Sequence, residues 1–444
     1  MTVPHEGSRR HSRVEQASAA LEQMGLKQEL KRNFSMTSML GLAFAILNTW
    51  TALAASITLA LPSGGPSAVI WGLMVAGVCN LCLAASLAEF LSAWPTAGGQ
   101  YHWAAIVAWE GWSRGISYVT GWINVAGWVA LTATGGLLGS TFIVETISLF
   151  NPAYEPEAWH QFLIYIAFTL VALVVNAFLN RVLPYVTKAA FFWSITGFVV
   201  ISITVLACSA PNYQSGSFVY GNFINDVGWP DGLAWLLGLL QGAFALTGFD
   251  ATVHMIEEIP EPHIQGPRIM IYCIGIGMFT GFIFLSCLLF CVNSIDDVLD
   301  AASGPLLQIF MDATSMALGI TYAIPPAINV LRGRKMLPPS RAFRLSEPVG
   351  WTLNLVGIAW ALLTTVLFVF PPELPVTSDN MNYCIVAFGI ILLIAGLTWI
   401  FDGRKNYVGP HIQLSGVLHG KEDVVTEPLQ YSGSKPHSDI VETR

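Results

Sequence analysis

The sequence predicts an all-α fold, a polytopic transmembrane helix bundle of about ten spans. Three observations carry this. Of the 444 residues, 54% are hydrophobic and only 11% are charged, against roughly 25% charged in a soluble domain. The apolar residues gather into stretches of about 20 or more, enough to cross a hydrocarbon core about 30 Å thick. All 20 Lys and Arg can be placed on one side of a membrane, in the two tails and at or beside alternate connections between those stretches. Lys and Arg bias, rather than net charge, sets orientation.

The elements follow in order. Residues 1–35 are polar and charged and read as a cytosolic tail, with a short interfacial helix from Glu22 to Arg32. No cleavable signal is visible, so the first span is expected to act as an uncleaved anchor. That span, 38–61, carries Asn48-Thr49-Trp50-Thr51 at mid-membrane. The second, 68–92, holds Glu89 near its end. It stops at Pro95 and Gly98-Gly99, which permit a sharp re-entry flanked by Trp94, Tyr101 and Trp103. This turn reads as an inner gate element or as a static turn with interfacial aromatics. Spans three to five (116–142, 160–180, 186–209) are apolar, with Arg114, Arg181 and Lys188 at their cytosolic ends.

The sixth span, 232–256, is polar and Gly-rich from Gln241 to Thr252. Small and polar residues at matched depth in spans one and six predict discontinuous helices. Backbone freed at that depth survives only where protein buries it or where it lines a cavity. Spans seven to ten follow at 268–292, 306–331, 349–371 and 381–401. The transmembrane domain runs over 36–402, and the polar stretch 403–444 is expected to be a disordered cytosolic tail. The loops opposite the basic ones (62–67, 143–159, 210–231, 293–305, 372–380) contain no Lys or Arg. Both termini are therefore expected in the cytosol.

Composition also excludes functions. The net charge of −8 leaves no basic field suited to nucleic acid. All seven Cys lie in or at the ends of spans and read as small buried hydrophobes. No HExxH, no clustered His ligands and no Ser/His/Asp set at membrane depth is present, so no enzyme, metal site or cofactor is expected.

The candidate site residues lie in the two broken spans. Amides freed at Asn48, Thr49 and Trp50 fit a carboxylate; ordinary polar packing is the alternative. Asp250, in Thr247-Gly248-Phe249-Asp250, is an intramembrane carboxylate and so a functional candidate. It fits an ammonium group or a proton, or serves as an acceptor for local donors. Phe249 and Phe244 either cover a ligand or belong to the core. His254, one turn beyond Asp250, reads as a proton relay or as a solvated helix end. Glu257 and Glu258 read as an inner gate or as partners of Arg268, and Glu89 as a gate partner or a solvated carboxylate.

The stretch Leu87–Trp103 resembles the signature of the amino acid–polyamine–organocation superfamily, in particular the fungal amino acid, choline and GABA permeases. Supporting stretches are Lys31–Ser35, Leu47–Leu53, Leu61–Pro66, Tyr118–Trp122 and Thr247–Pro260. The resemblance covers about residues 25 to 410 and does not specify a substrate. It implies a five-plus-five inverted repeat with helices one and six unwound around a central site. It also implies import of amino acids or related amines by alternating access, proton coupling and a plasma-membrane location. Partners would be a small-molecule substrate, a coupling proton and the bilayer. The fifth span lacks the buried Lys of some relatives, its interior reading Phe191-Phe192-Trp193-Ser194.

The family has twelve spans. Ser303–Thr314 resembles the start of its eighth helix and Tyr322–Arg334 the end of its tenth, meeting near Leu318–Thr321. An incomplete second repeat is therefore expected, with helix six poorly shielded and transport weak or absent. The alternative function is a non-transporting isoform or membrane sensor that binds ligand without turnover.

Overall fold

The computed structural model describes residues 34–409 apart from 180, 296–297, 299–304 and 379. The expected interfacial helix at 22–32 and the tail beyond 409 lie outside the described residues. Among those described there is no named strand, only an isolated bridge between Ser63 and Asn225. Nine helices among the described residues are long and apolar enough to cross a membrane.

The first span is broken in two. α1 (Met36–Leu47) starts on a capping box, in which Ser35 and Ser38 exchange hydrogen bonds. It ends at Asn48, which is left-handed at φ 41°. Asn is among the few non-Gly residues that adopt this conformation routinely. α2 (Thr49–Ala60) restarts immediately. α3 (Gly65–Ala93) forms the second span, and α4 (Gly99–Val107) is a short helix that follows it. The re-entry expected at Pro95 and Gly98-Gly99 thus leads into a helix rather than a bare turn.

α5 (Ser113–Phe150) has 38 residues, eight beyond the expected end, and at 1.5 Å per residue is about 57 Å long. α6 (Ala158–Phe178) buries no residue, and α7 (Leu183–Ser209) buries only Thr187, Phe198 and Ser202. Such continuous apolar exposure fits a lipid-facing edge. α8 (Gly216–Gly221) caps the loop that follows.

The sixth expected span is too interrupted to count among the nine. It consists of α9 (Asp231–Gly238), α10 (Leu240–Ala245) and, after a gap, α11 (Ala251–His254) with a 3₁₀ turn at Ile256–Glu258. α12 (Pro262–Cys291), α13 (Pro305–Leu331), α14 (Glu347–Leu367) and α15 (Cys384–Thr398) complete the bundle. Beyond α15 the chain passes through a π turn at Trp399–Gly403.

α12 packs closely along α2 because Gly277 and Gly281, four residues apart, remove side chains from the contact. A Cβ on Gly277 would sit 2.5 Å from Thr49 Oγ1, and one on Gly281 would sit 2.6 Å from Leu53 Cδ1. Small residues at this spacing are how membrane helices approach without a hydrophobic driving force.

The connections at each end bond to one another. At the basic end, Phe34 N donates to Glu258 O, Ala97 N to Glu257, and Arg332 to the Val107 and Ala108 carbonyls. At the other end, Gly64 N donates to Ile224 O and Leu374 N to Val227 O. α13 crosses once as a single helix although Pro325 and Pro326 lie inside it.

One expectation is corrected. Helix six keeps its shield: Gln241–Leu246 and Gly248–Val253 are buried, and α13 supplies part of the cover.

Candidate functional site

The two breaks face each other. Thr49 Oγ1, at the start of α2, donates to Ala245 O at the end of α10, 2.9 Å away. This ties the broken ends together. Among the described residues, the amides of Thr49, Trp50 and Thr51 take no backbone acceptor across the break. They are the orphan donors of a helix N-terminus and carry its positive end. Opposite them, the chain between α10 and α11 turns through Gly248 at φ +103°, a conformation that suits Gly and strains other residues. Thr247 Oγ1 folds back onto Ala243 O at 2.9 Å.

Asp250 is fully buried and holds three partners. Tyr322 Oη donates to Oδ1 at 2.5 Å, Gln100 Nε2 donates to Oδ2 at 2.8 Å, and His254 Nε2 lies 3.3 Å from Oδ2. The same Tyr322 hydroxyl accepts from Gly248 N at 3.2 Å. Phe249 packs on Tyr322 with ring centroids 4.6 Å apart. The carboxylate thus joins α11, α4 and α13 in one buried network. A charge at this depth is held by directed donors.

His254 is not a solvated helix end. Its Nδ1 lies 3.0 Å from Ala97 O, its ring is edge-on to Trp128, and its side chain is 25% exposed. It lines a cavity of about 630 Å³ beside the break, together with Ile46, Asn124, Trp128, Ala251 and Met255. Trp50 departs from the expected set: it turns away from the break toward α7, donating to Ser194 Oγ at 2.9 Å and packing on Phe198 and Phe284. Phe244 is buried in the main core instead, apart from Trp50, Phe198 and Phe284.

Nearer the basic end, Glu89 is fully buried rather than solvated. Its Oε2 accepts from Arg334 Nη2 at 2.9 Å. Its Oε1 accepts from Arg341 Nη2 at 2.6 Å and from Leu345 N at 3.0 Å. Arg334 is left-handed at φ 57°, and its Nε lies 3.7 Å from Glu347. The cluster joins α3 to the connection between α13 and α14.

Glu257 and Glu258 do not pair with Arg268 among the described residues. Glu257 Oε1 accepts from Ala97 N at 3.0 Å. In α4, His102 contacts Thr96 Oγ1 at 3.0 Å, and burial lowers its pKa to about 4.

Sequence reasoning brought Asn48, Thr49, Thr247, Gly248, Phe249, Asp250 and His254 to one region. It missed Gln100, Tyr322, Arg334 and Arg341. Gln100, Tyr322 and Arg334 lie in stretches that carry the family resemblance, but no local signal gives any of the four a site role; each acquires one by meeting a carboxylate 72 to 252 positions away.

The family described as amino acid permease matches residues 34–333. A Macrophomina phaseolina protein provisionally named as an amino acid/polyamine transporter is 37% identical over 296 residues, 66% of this chain and 64% of that protein. The chain therefore spans slightly under two thirds of that relative's length. A Saccharomyces cerevisiae choline transporter is 26% identical, covering 96% of this chain and 91% of its own. A Neurospora crassa amino-acid permease is 25% identical over 90% of each. The alignment to the yeast protein runs over 523 residues, more than the 444 of this chain. That relative therefore holds residues with no counterpart here.

Proposed function

Because the chain belongs to the amino acid permease family, we propose that this multi-pass membrane protein imports an amino acid or a related amine, such as GABA or choline, by alternating access. The observation that carries the reading is the pair of facing breaks at Asn48 and Gly248. The amides at the start of α2 suit a substrate carboxylate. Asp250, across the break, suits its ammonium group, reached by displacing Gln100 or His254. GABA and ordinary amino acids carry both groups, and choline carries only the cation. Substrate contacts are assigned to Asn48, Thr49, Thr247, Gly248, Phe249 and Asp250, with Trp50 holding α2 against α7.

Transport then requires the two ends to open alternately. At the basic end the Glu89–Arg334–Arg341 cluster and the Glu257–Ala97 bond are the contacts that would part. The coupling ion is assigned as a proton, passed between Asp250 and His254. The basic end is assigned to the cytosol, with both termini there, and the location to the plasma membrane. A small-molecule substrate, the proton and the bilayer are the partners.

Uptake of radiolabelled GABA, choline and mixed amino acids in a transport-deficient host tests this. Saturable uptake that an uncoupler collapses, and that Asp250→Asn lowers at least tenfold, is expected. Accumulation unaffected by Asp250→Asn overturns the assignment. A second reading has its own observation, the residues of the yeast relative with no counterpart here: a form that binds ligand without turnover. Ligand binding by purified protein, with neither uptake nor counterflow, would select it.

A further inference from the structure

At the end opposite the basic cluster lies a second polar cavity, away from the Asp250 network. It has a volume of about 50 Å³, room for an ammonium-sized group or a few waters. Its polar lining includes Ser56, Gln241, Gln308 and Asp312, and Phe244, Phe368 and Phe370 supply aromatic walls.

Three features make this lining specific. Asp312 is 7% exposed at membrane depth, and no described Lys, Arg or His forms an ion pair with it. Asn382 Nδ2 donates to its Oδ2 at 2.7 Å, and Gln308 gives a further side-chain bond. Gln241 is 5% exposed; its Nε2 is taken up by Leu53 O at 2.7 Å, and its Oε1 has no partner. Ser56 Oγ already donates to Ala52 O at 2.7 Å, which leaves its oxygen as an acceptor. At this depth a buried carboxyl group keeps a negative charge only beside a cation, and a buried carbonyl without a donor is costly. A primary ammonium has three N–H donors and one positive charge, and aromatic faces favour cations.

We propose that Asp312, Gln241 and Ser56 form a second, outer subsite for the primary ammonium group of an amine. This rests on the transport reading only for its place on the access path. Occupancy there would hold an incoming amine one step before the breaks, with Phe244 between the two sites.

The test is equilibrium binding of radiolabelled ethanolamine to the purified full chain in nanodiscs. Wild type binds ethanolamine, and Asp312→Asn raises the dissociation constant at least tenfold. Gln241→Met weakens binding in the same direction, and Asp250→Asn leaves this component in place. Choline, with no N–H, binds at least tenfold more weakly at this subsite. No binding by wild type overturns the proposal, as does unchanged affinity in Asp312→Asn or equal affinity for choline. If Asp312→Asn does not fold, unchanged affinity in Gln241→Met overturns it. Loss confined to Asp250→Asn removes the subsite and leaves the proposed function standing. Ethanolamine binding that depends on Asp312 in a chain without uptake does the reverse.

Discussion

Glu89 shows what one buried carboxylate does when its partners come from another part of the chain. It sits between Arg334 and Arg341 with every side chain of the trio nearly sealed from solvent. The two guanidiniums exceed its charge, and Arg334 Nη1 has no partner. Glu89→Gln would leave two arginines facing a neutral amide. Breaking a buried pair from one side costs about 3–5 kcal/mol, so the variant should unfold at clearly lower temperature in detergent. An unchanged melting temperature would mean the cluster contributes no stability. His102 gives a pH dependence. Its folded pKa is about 4 against an ordinary 6.5. Below pH 6.5 the unfolded chain takes up a proton that the folded chain does not. Stability from this group should therefore be complete above about pH 6.5, fall as pH drops toward 4, and level off below. His102→Gln should flatten that part of a melting-temperature profile.

At the scale of elements, the first and sixth spans break for different local reasons. α1 ends because Asn48 takes the left-handed conformation, and α10 ends where Gly248 turns the chain. The breaks are held in register by Thr49, and Thr49 is held by α12. Gly277→Ala would place a Cβ 2.5 Å from Thr49 Oγ1, pushing away the hydroxyl that bonds Ala245 O. Gly275, two residues earlier on the same helix, has nothing within 4 Å of an added Cβ. Gly277→Ala is expected to lower the melting temperature and impair substrate binding. Gly275→Ala should leave both near wild type or slightly improved, since Ala favours helix over Gly by about 1 kcal/mol. Equal behaviour of the pair would count against the α2–α12 contact. α13 is the element with most at stake, since Tyr322 on it completes the Asp250 network and Asp312 on it faces the opposite cavity.

At the scale of the whole molecule, the proposed sidedness can be measured directly. Single cysteines at Ser215 and Ser340, both exposed in connections at opposite ends of the bundle, should react with a membrane-impermeant maleimide from opposite sides in an otherwise cysteine-free chain. Ser215 should label in intact cells and Ser340 only after permeabilisation. The reverse pattern would invert the bundle, and labelling of both from outside would break the ten-span threading.

The helical class, nine of the ten expected spans as long apolar helices, the placement of basic connections and the positions of both breaks are legible in the order of residues alone. They follow from local properties: apolar length against bilayer thickness, the placement of Lys and Arg, and the backbone preferences of Asn, Gly and Pro. Asp250 is marked in the same way, because a carboxylate at membrane depth is conspicuous in any single sequence, whereas Glu89 reads only as a carboxylate at the end of its span. What those carboxylates touch depends on the packed bundle. Tyr322 and Gln100 on Asp250, Arg334 and Arg341 on Glu89, and the turn of Trp50 toward Ser194 are contacts across long sequence separations. Hydropathy ranks residues by how apolar they are, and membrane helices pack by shape. The rotation of each helix about its axis, and so the neighbour of every buried polar group, is set by where small residues such as Gly277 and Gly281 permit contact.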